Sequence, residues 1–302
     1  MPLGKKAFAA IVIAAGLVFP HLLLAHGFVG DRFFPPTIAT DDPFAVDELS
    51  LPSITAFGDP SSDGVPATRE VDWGFEFDKE ILPHFAIGVS DDFISQSERG
   101  QPSTYGWDNI ELTAKYELWH NDPHEAIVSA GLIADIASSG TENVSDSFST
   151  LAPTVYFGKG FGDLPESVNF LRPLAITGEL GESFPTSSDA ANQFQYGFAV
   201  EYSLPYLQEE VKDIGLQSPL KDMIPVVEFA LETDENRATR GQTTGTINPG
   251  VLWQTPWCEL GAEAVIPVNG QTGSRIGFTV DVWIYIDDLF PKVFGYPIFG
   301  KD

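Results

Sequence analysis

Carboxylates share one face of several alternating stretches in this 302-residue chain. Two of them on one face are the minimum for general acid–base work. Glu259 and Glu263 share a face of any extended segment, and so do Asp72, Glu76 and Asp78. Acid–base hydrolysis holds its two carboxyl groups across a substrate, whereas alternation sets them in a row along one strand. No Gly-x-Ser-x-Gly elbow accompanies them, and no glycine-rich loop follows a strand and opens a helix. The chain therefore reads as a non-enzyme, with no catalytic residue and no cofactor assigned. His120 and His124 flank Asn-Asp-Pro, with Asp122 and Glu125 close by, and the two imidazoles could share a metal. Spacing in a turn fixes no coordination geometry, so a polar turn is the favoured reading. His26 would chelate copper through its amine and ring if it began a mature chain. No metal site is assigned, and these three histidines stand as weak candidates.

The charge balance narrows the partners. Lys and Arg number 16 against 43 Asp and Glu, a formal charge of −27. Phosphate binding needs a basic face, so nucleic acid is excluded as a partner. Apolar content is 43%, that of a chain that folds. Cys258 is the only cysteine, which rules out an internal disulfide and a thiolate metal cluster.

The first 25 residues have the pattern of an export signal. Lys5 and Lys6 precede an uncharged apolar run that closes on Ala25. Pro20 and His21 interrupt that run, which argues for cleavage after Ala25 rather than for a permanent anchor. Residues 26–48 carry adjacent prolines and no periodicity, and read as an irregular leader or plug. From residue 49 the period is two. Twelve strands follow to residue 290, opening with a weak one near 49–57 and closing on GFTVDVWIYID at 277–287. Residues 291–302 form a tail. The connections alternate between longer, polar segments such as ASSGTENVSDS and mostly short ones such as HNDPH and TP.

Alternating strands suit a soluble sandwich with its apolar face inward, or a transmembrane barrel with that face in lipid. Three features favour the barrel: acids deep within strands, strands of about ten residues, and a ring of aromatics. That ring collects Phe77, Phe85, Tyr116, Phe157, Tyr202, Trp253 and Trp257 near the short-turn end. The expectation is an all-β, transmembrane antiparallel β-barrel of about twelve strands, with long loops on one side and short turns on the other.

The hairpin GWDNIELTAKYELWHNDPHEAIVSAGLIADI, residues 106–136, resembles that of the outer-membrane transporters named after the meta pathway of phenol degradation. Asp108, Lys115 and Tyr116 carry the match, followed by a short turn and an Ala/Gly/Leu-rich return strand. The resemblance implies a barrel distantly like the long-chain fatty-acid transporters, moving hydrophobic or aromatic compounds, and it brings no catalytic residues. The chain departs from the usual outer-membrane ending by running past its last strand through PKVFGYPIFGKD, where Phe290 or Phe299 could replace a terminal aromatic.

In such a barrel the lumen is lined by Asp72, Glu76, Glu111, Glu117, Asp135, Glu201, Glu228, Glu263 and Asp281, joined by Asp78, Glu179, Glu232 and Glu259. Lys115 is the inward base. Rings of carboxylates favour cations over anions. Trp283, Tyr285, Ile127 and Ile133 also point inward, either as a greasy patch or as packing for a plug. The sequence thus reads as an outer-membrane channel or transporter, exported through a signal peptide and surrounded by lipid, for small or cationic solutes. Two alternatives stay open: a non-conducting envelope barrel that binds a partner or metal, and a soluble exported β-sandwich that binds a ligand. Oligomeric state is not legible.

Overall fold

The computed structural model describes residues 27–58, 67–98 and 100–300. The expected export signal over 1–25 and His26 lie outside the described residues.

Twelve strands pair each with its neighbour in the chain, all antiparallel, and the last returns to the first. They are β1 (Glu48–Phe57), β2 (Thr68–Leu82), β3 (Phe85–Glu98), β4 (Thr104–Trp107 and Glu111–Asn121), β5 (Ala126–Asp135) and β6 (Thr150–Gly160). There follow β7 (Leu174–Pro185), β8 (Gln193–Tyr202), β9 (Met223–Asp234), β10 (Thr243–Gln254), β11 (Cys258–Pro267) and β12 (Gly277–Ile284). Closure removes every open edge, the condition for a sheet to stand in lipid. Outward side chains are the alternating apolar ones: Leu118 is 58% exposed, Phe278 50% and Leu180 47%. No second layer covers them, so the β-sandwich alternative is excluded. Among the described residues no helix is long and apolar enough to cross a membrane.

Three boundaries differ from the sequence reading. β4 is broken rather than continuous from Asn109. Its first piece pairs with Phe93–Gln96 of β3 and its second with Phe85–Ser90. Asp108 Oδ1 accepts the Asn109 N–H (2.8 Å), and such local side-chain bonds draw the backbone out of the ladder. Trp257 belongs to the turn after β10 and not to the strand. Thr255 closes that turn by donating its N–H (2.9 Å) and hydroxyl (2.7 Å) to the Cys258 carbonyl. β12 ends at Ile284 and not at Asp287. Its partner β11 begins with Cys258, opposite Ile284, and beyond that pair the Tyr285 N–H donates to the Trp257 carbonyl of the turn (3.1 Å). The chain then turns into a short helix, α1 (Ile286–Leu289).

The upper end carries the longer connections over residues 136–149, 186–192, 235–242 and 268–276, together with the described residues 58, 67 and 100–103. The lower end has tight turns at 83–84, 122–125 and 255–257, and two longer connections at 161–173 and 203–222. The tail folds back along the lower rim of β2. Ile298 and Phe299 donate their N–H groups to the carbonyls of Glu80 (3.3 Å) and Ile81 (2.9 Å), and Phe294 meets Phe77 edge-on at 6.2 Å. β1 starts opposite Asp78, so these tail residues cover the stretch of β2 that β1 leaves unpaired.

Candidate functional site

The inner face of the barrel is the candidate site. Period-two alternation puts each expected acid on it. Glu201, Glu228, Glu263 and Asp281 are buried, together with Glu259 and Lys115. Asp72, Glu76, Glu111, Glu117 and Asp135 are half-buried. Several hold a neighbour on the wall. Asp281 accepts from the Ser50 hydroxyl (2.6 Å), Asp135 from the Asn109 amide (3.0 Å) and Glu111 from the Ser90 hydroxyl (3.3 Å).

Others hold the leader, which lies inside the bore. The Glu228 carboxylate on β9 accepts the backbone N–H groups of Ile38 (2.8 Å), Ala39 (2.9 Å) and Thr40 (2.9 Å), and the Thr40 hydroxyl (2.9 Å). Glu117 on β4 accepts the Ala45 N–H at 3.0 Å. Lys115 on β4 donates to Asp41 Oδ1 (2.8 Å) and the Asp42 carbonyl (2.9 Å), and its ammonium stands 4.8 Å from the Tyr156 ring centroid on β6. Ser129 on β5 donates to the Pro43 carbonyl. Glycines on the wall admit leader side chains. A Cβ on Gly197 of β8 would meet Thr40 Cγ2 at 2.5 Å, and one on Gly261 of β11 would meet Ile38 Cδ1 at 2.4 Å.

The sequence reading treated the lumen as polar and expected only a few inward apolar groups. The lower bore is in fact a hydrophobic core shared with the leader. Phe33 packs with Ala199, Ile224, Val226, Leu252 and Tyr285, and Ile38 lies against that cluster. Val29, Phe34 and Phe44 pack with Ile127 and Ala175. Burying each large apolar side chain contributes about 1.5–3 kcal/mol. Ile127 and Tyr285 thus pack against the leader, while Trp283 and Ile133 line the open space above it.

The leader is also tied at the lower rim. Arg32, fully buried, reaches Glu125 Oε2 with its Nε (3.2 Å), donates to the Pro173 and Arg172 carbonyls, and lies 3.6 Å from the Tyr206 ring centroid. Glu125 accepts further from Gly162 N–H (2.9 Å) and the Tyr206 hydroxyl (2.7 Å). Sequence reasoning missed Arg32, Asp41, Asp42 and Glu125 as a set. The one available signal was an Asp-Arg pair enclosed by the aromatic residues of Phe28–Phe34.

Above the leader, three cavities of about 430, 320 and 390 Å³ share Ile133 and together form one vestibule. Its floor is Pro36–Asp42, and its walls include Glu76, Glu111, Asp135, Glu179, Glu232 and Asp281. No Lys, Arg or His is among its described lining residues. Below the leader a separate cavity of about 220 Å³ opens beside Phe28 and Phe33.

His120 and His124 part company. His120 Nε2 lies 3.8 Å from Asp122, whereas His124 Nδ1 lies 2.8 Å from Asp163. That bond, with Lys159 beside it, holds the Asp163 carboxyl below its usual range. Among the described residues no three His, Cys, Asp or Glu side chains are grouped to hold a metal ion.

No protein-family model matches the chain, and no curated protein matches it. Among solved structures it is similar to an outer membrane channel from Pseudomonas putida F1, with 13% identity over 83% of this chain and 99% of that one, at a TM-score of 0.52. It is also similar to the KdgM porin (12% identity, 78% and 98% covered, TM-score 0.43) and to the beta domain of the Bordetella autotransporter BrkA (10%, 79% and 99%, TM-score 0.47). The first of these likenesses establishes a shared architecture, that of outer-membrane β-barrels. The resemblance to the phenol meta-pathway transporters rests on residues 106–136 alone.

Proposed function

We propose that this barrel is an outer-membrane channel for small, positively charged solutes, entered through the acidic vestibule and closed at mid-depth by its leader. The observation that carries the reading is the lining of that vestibule, in which carboxylates from β2, β4, β5, β7, β9 and β12 face a common space and no described base stands among them. Crowded carboxylates repel one another and gather counter-cations, and a wall of one sign passes the opposite sign preferentially. Lys115, the inward base, is hydrogen-bonded to the leader at Asp41 and at the Asp42 carbonyl.

The leader makes the resting barrel closed. It contacts inner-face residues of β4, β5, β8, β9 and β11, and its aromatic side chains occupy the lower bore. Conduction on this reading requires the segment around Ile38–Asp42 to leave its seat. The resemblance of residues 106–136 would suggest hydrophobic or aromatic cargo. The lining favours a solute that carries positive charge, whatever else it carries.

Planar-bilayer recording under a salt gradient tests the reading. A reversal potential of the sign set by cation flux is expected. Changing Glu76, Glu111 and Asp281 together to Gln, Gln and Asn should move it toward zero. Anion selectivity in the parent protein would overturn the proposal. Absence of any current, with the leader released, would favour a non-conducting envelope barrel.

A further inference from the structure

The lower cavity differs in chemistry from the vestibule. It lies between the leader, where Phe28 and Val29 pair antiparallel with Phe33 and Arg32, the 203–222 connection and the turn after β10. Three rings form one wall: Phe28 and Phe33 are 5.2 Å apart by centroid, and Phe33 meets Tyr285 edge-on at 6.4 Å. Asp31, Glu209 and Glu210 line the other side, all three exposed. No Lys, Arg or His is among the described lining residues. Burial and the charges of Asp31, Glu209 and Glu125 hold Glu210 above its ordinary range, while Lys221, paired with Asp222 at 2.8 Å, stands within reach of the Glu209 charge.

We propose that this cavity is a binding site for a small organic cation that carries an aromatic or alkyl body, such as a primary arylalkylamine. Ring faces attract a cation through their quadrupole, and the carboxylates add a second, longer-range attraction. The same corner already shows the preference in its own structure, where the Arg32 guanidinium lies over Tyr206, another residue of the cavity. An inorganic cation would use the acids but not the rings, since stripping its water against phenyl groups returns too little. A neutral aromatic would use the rings but leave the acids uncompensated. The volume of about 220 Å³ suits a single ring with a short aminoalkyl arm and no larger body. The site lies on the opposite side of the leader from the vestibule, so its occupancy does not depend on conduction.

Titration calorimetry on the full-length, detergent-solubilised protein tests this, with benzylammonium as the probe. One saturable site is expected. Phe28→Ala should weaken it roughly fivefold, as expected for loss of one cation–π contact. The double variant Glu209→Gln/Glu210→Gln should weaken it at least as much. All three residues are surface-accessible, so both variants should fold as the parent does, which circular dichroism checks. Glu76→Gln/Asp281→Asn in the vestibule should leave that site unchanged. Benzyl alcohol and potassium should each fail to compete. The proposal is overturned if benzylammonium does not bind, if benzyl alcohol competes equally, or if the Phe28 and Glu209/Glu210 variants bind as the parent does. None of these readings involves current, so failure here is separable from failure of the channel proposal.

Discussion

Ile38 occupies the space that a side chain at Gly261 would take: a Cβ built on that glycine would lie 2.4 Å from Ile38 Cδ1 and 3.1 Å from its Cγ1. The leader and β11 are therefore close enough for a covalent link. In a Cys258→Ser background, Ile38→Cys/Gly261→Cys places two thiols within disulfide reach. The oxidised protein should stay closed in planar bilayers, and reduction should raise its open probability. Equal currents before and after reduction would mean that the leader is not the gate.

Glu228 is the second hold on the same segment. A carboxylate that accepts three backbone N–H groups and a hydroxyl is charge-assisted at each bond. Glu228→Gln replaces one acceptor with an NH₂ that faces donors. Bonds to charged groups are worth about 1.5–3 kcal/mol each, and one loss already corresponds to a tenfold change or more. Hydrogen exchange at the amides of Ile38, Ala39 and Thr40 should speed up by at least that factor. The amides of β6, away from the seat, should keep their rates. Unchanged exchange at residues 38–40 would show that the seat is held by packing alone.

Most of the barrel was legible because the membrane simplifies the code. Outward residues of β4 and β5, such as Leu112, Ala114, Leu132 and Ala134, face one solvent and alternate strictly, so period and face were both readable. The breaks escaped for local reasons. Asp108 and Asn109 satisfy backbone groups with their own side chains, and β12 stops because its partner strand begins at Cys258. The interior was half legible. Glu228 and Glu117 were readable as inward acids, but their partners are backbone amides of Ile38–Thr40 and Ala45, which carry no sequence signal. Ala199, Ile224, Val226 and Leu252 alternate on the inner face with outward apolar residues, so those strands lose their polar side and a buried leader contact resembles a greasy lumen.

The two turn histidines should not cooperate in metal binding, because each has its own carboxylate partner. Copper and zinc titrations of the parent and of His120→Ala/His124→Ala should give the same stoichiometry. The His124 bond does leave a mark on Asp163. An acid held below its ordinary value favours the folded state above the unfolded pKa and loses that contribution as pH falls through the folded one. His124→Ala should therefore raise the Asp163 pKa toward 3.8, measured by carboxyl carbon NMR. The pair is exposed, so thermal stability at neutral pH should hardly change.

Asp47 joins three parts of the chain at the lower rim and should be the most sensitive single site there. Its side chain is 1% exposed and binds Lys79 Nζ (2.6 Å), the Glu80 N–H (2.6 Å) and the Gly295 N–H (2.9 Å). It therefore fixes where the leader becomes β1, pins the lower end of β2 and docks the tail. Asp47→Asn keeps an oxygen but loses the charge, leaving the half-buried Lys79 ammonium with the Tyr296 carbonyl but no counterion; breaking a fully buried pair costs about 3–5 kcal/mol, and the loss here should fall below that range. Asp47→Ala also strips the two backbone amides of their acceptor. Both variants should denature at lower temperature than the parent on heat-modifiability gels, Ala more than Asn. Limited proteolysis should release residues beyond Phe290 first, since the tail loses its Gly295 anchor and is left with the Glu80 and Ile81 carbonyls, the Phe77–Phe294 contact and the Lys79 bond to the Tyr296 carbonyl (2.9 Å). A tail as resistant in Asp47→Ala as in the parent would mean that those apolar and backbone contacts suffice, and that Asp47 serves the leader alone.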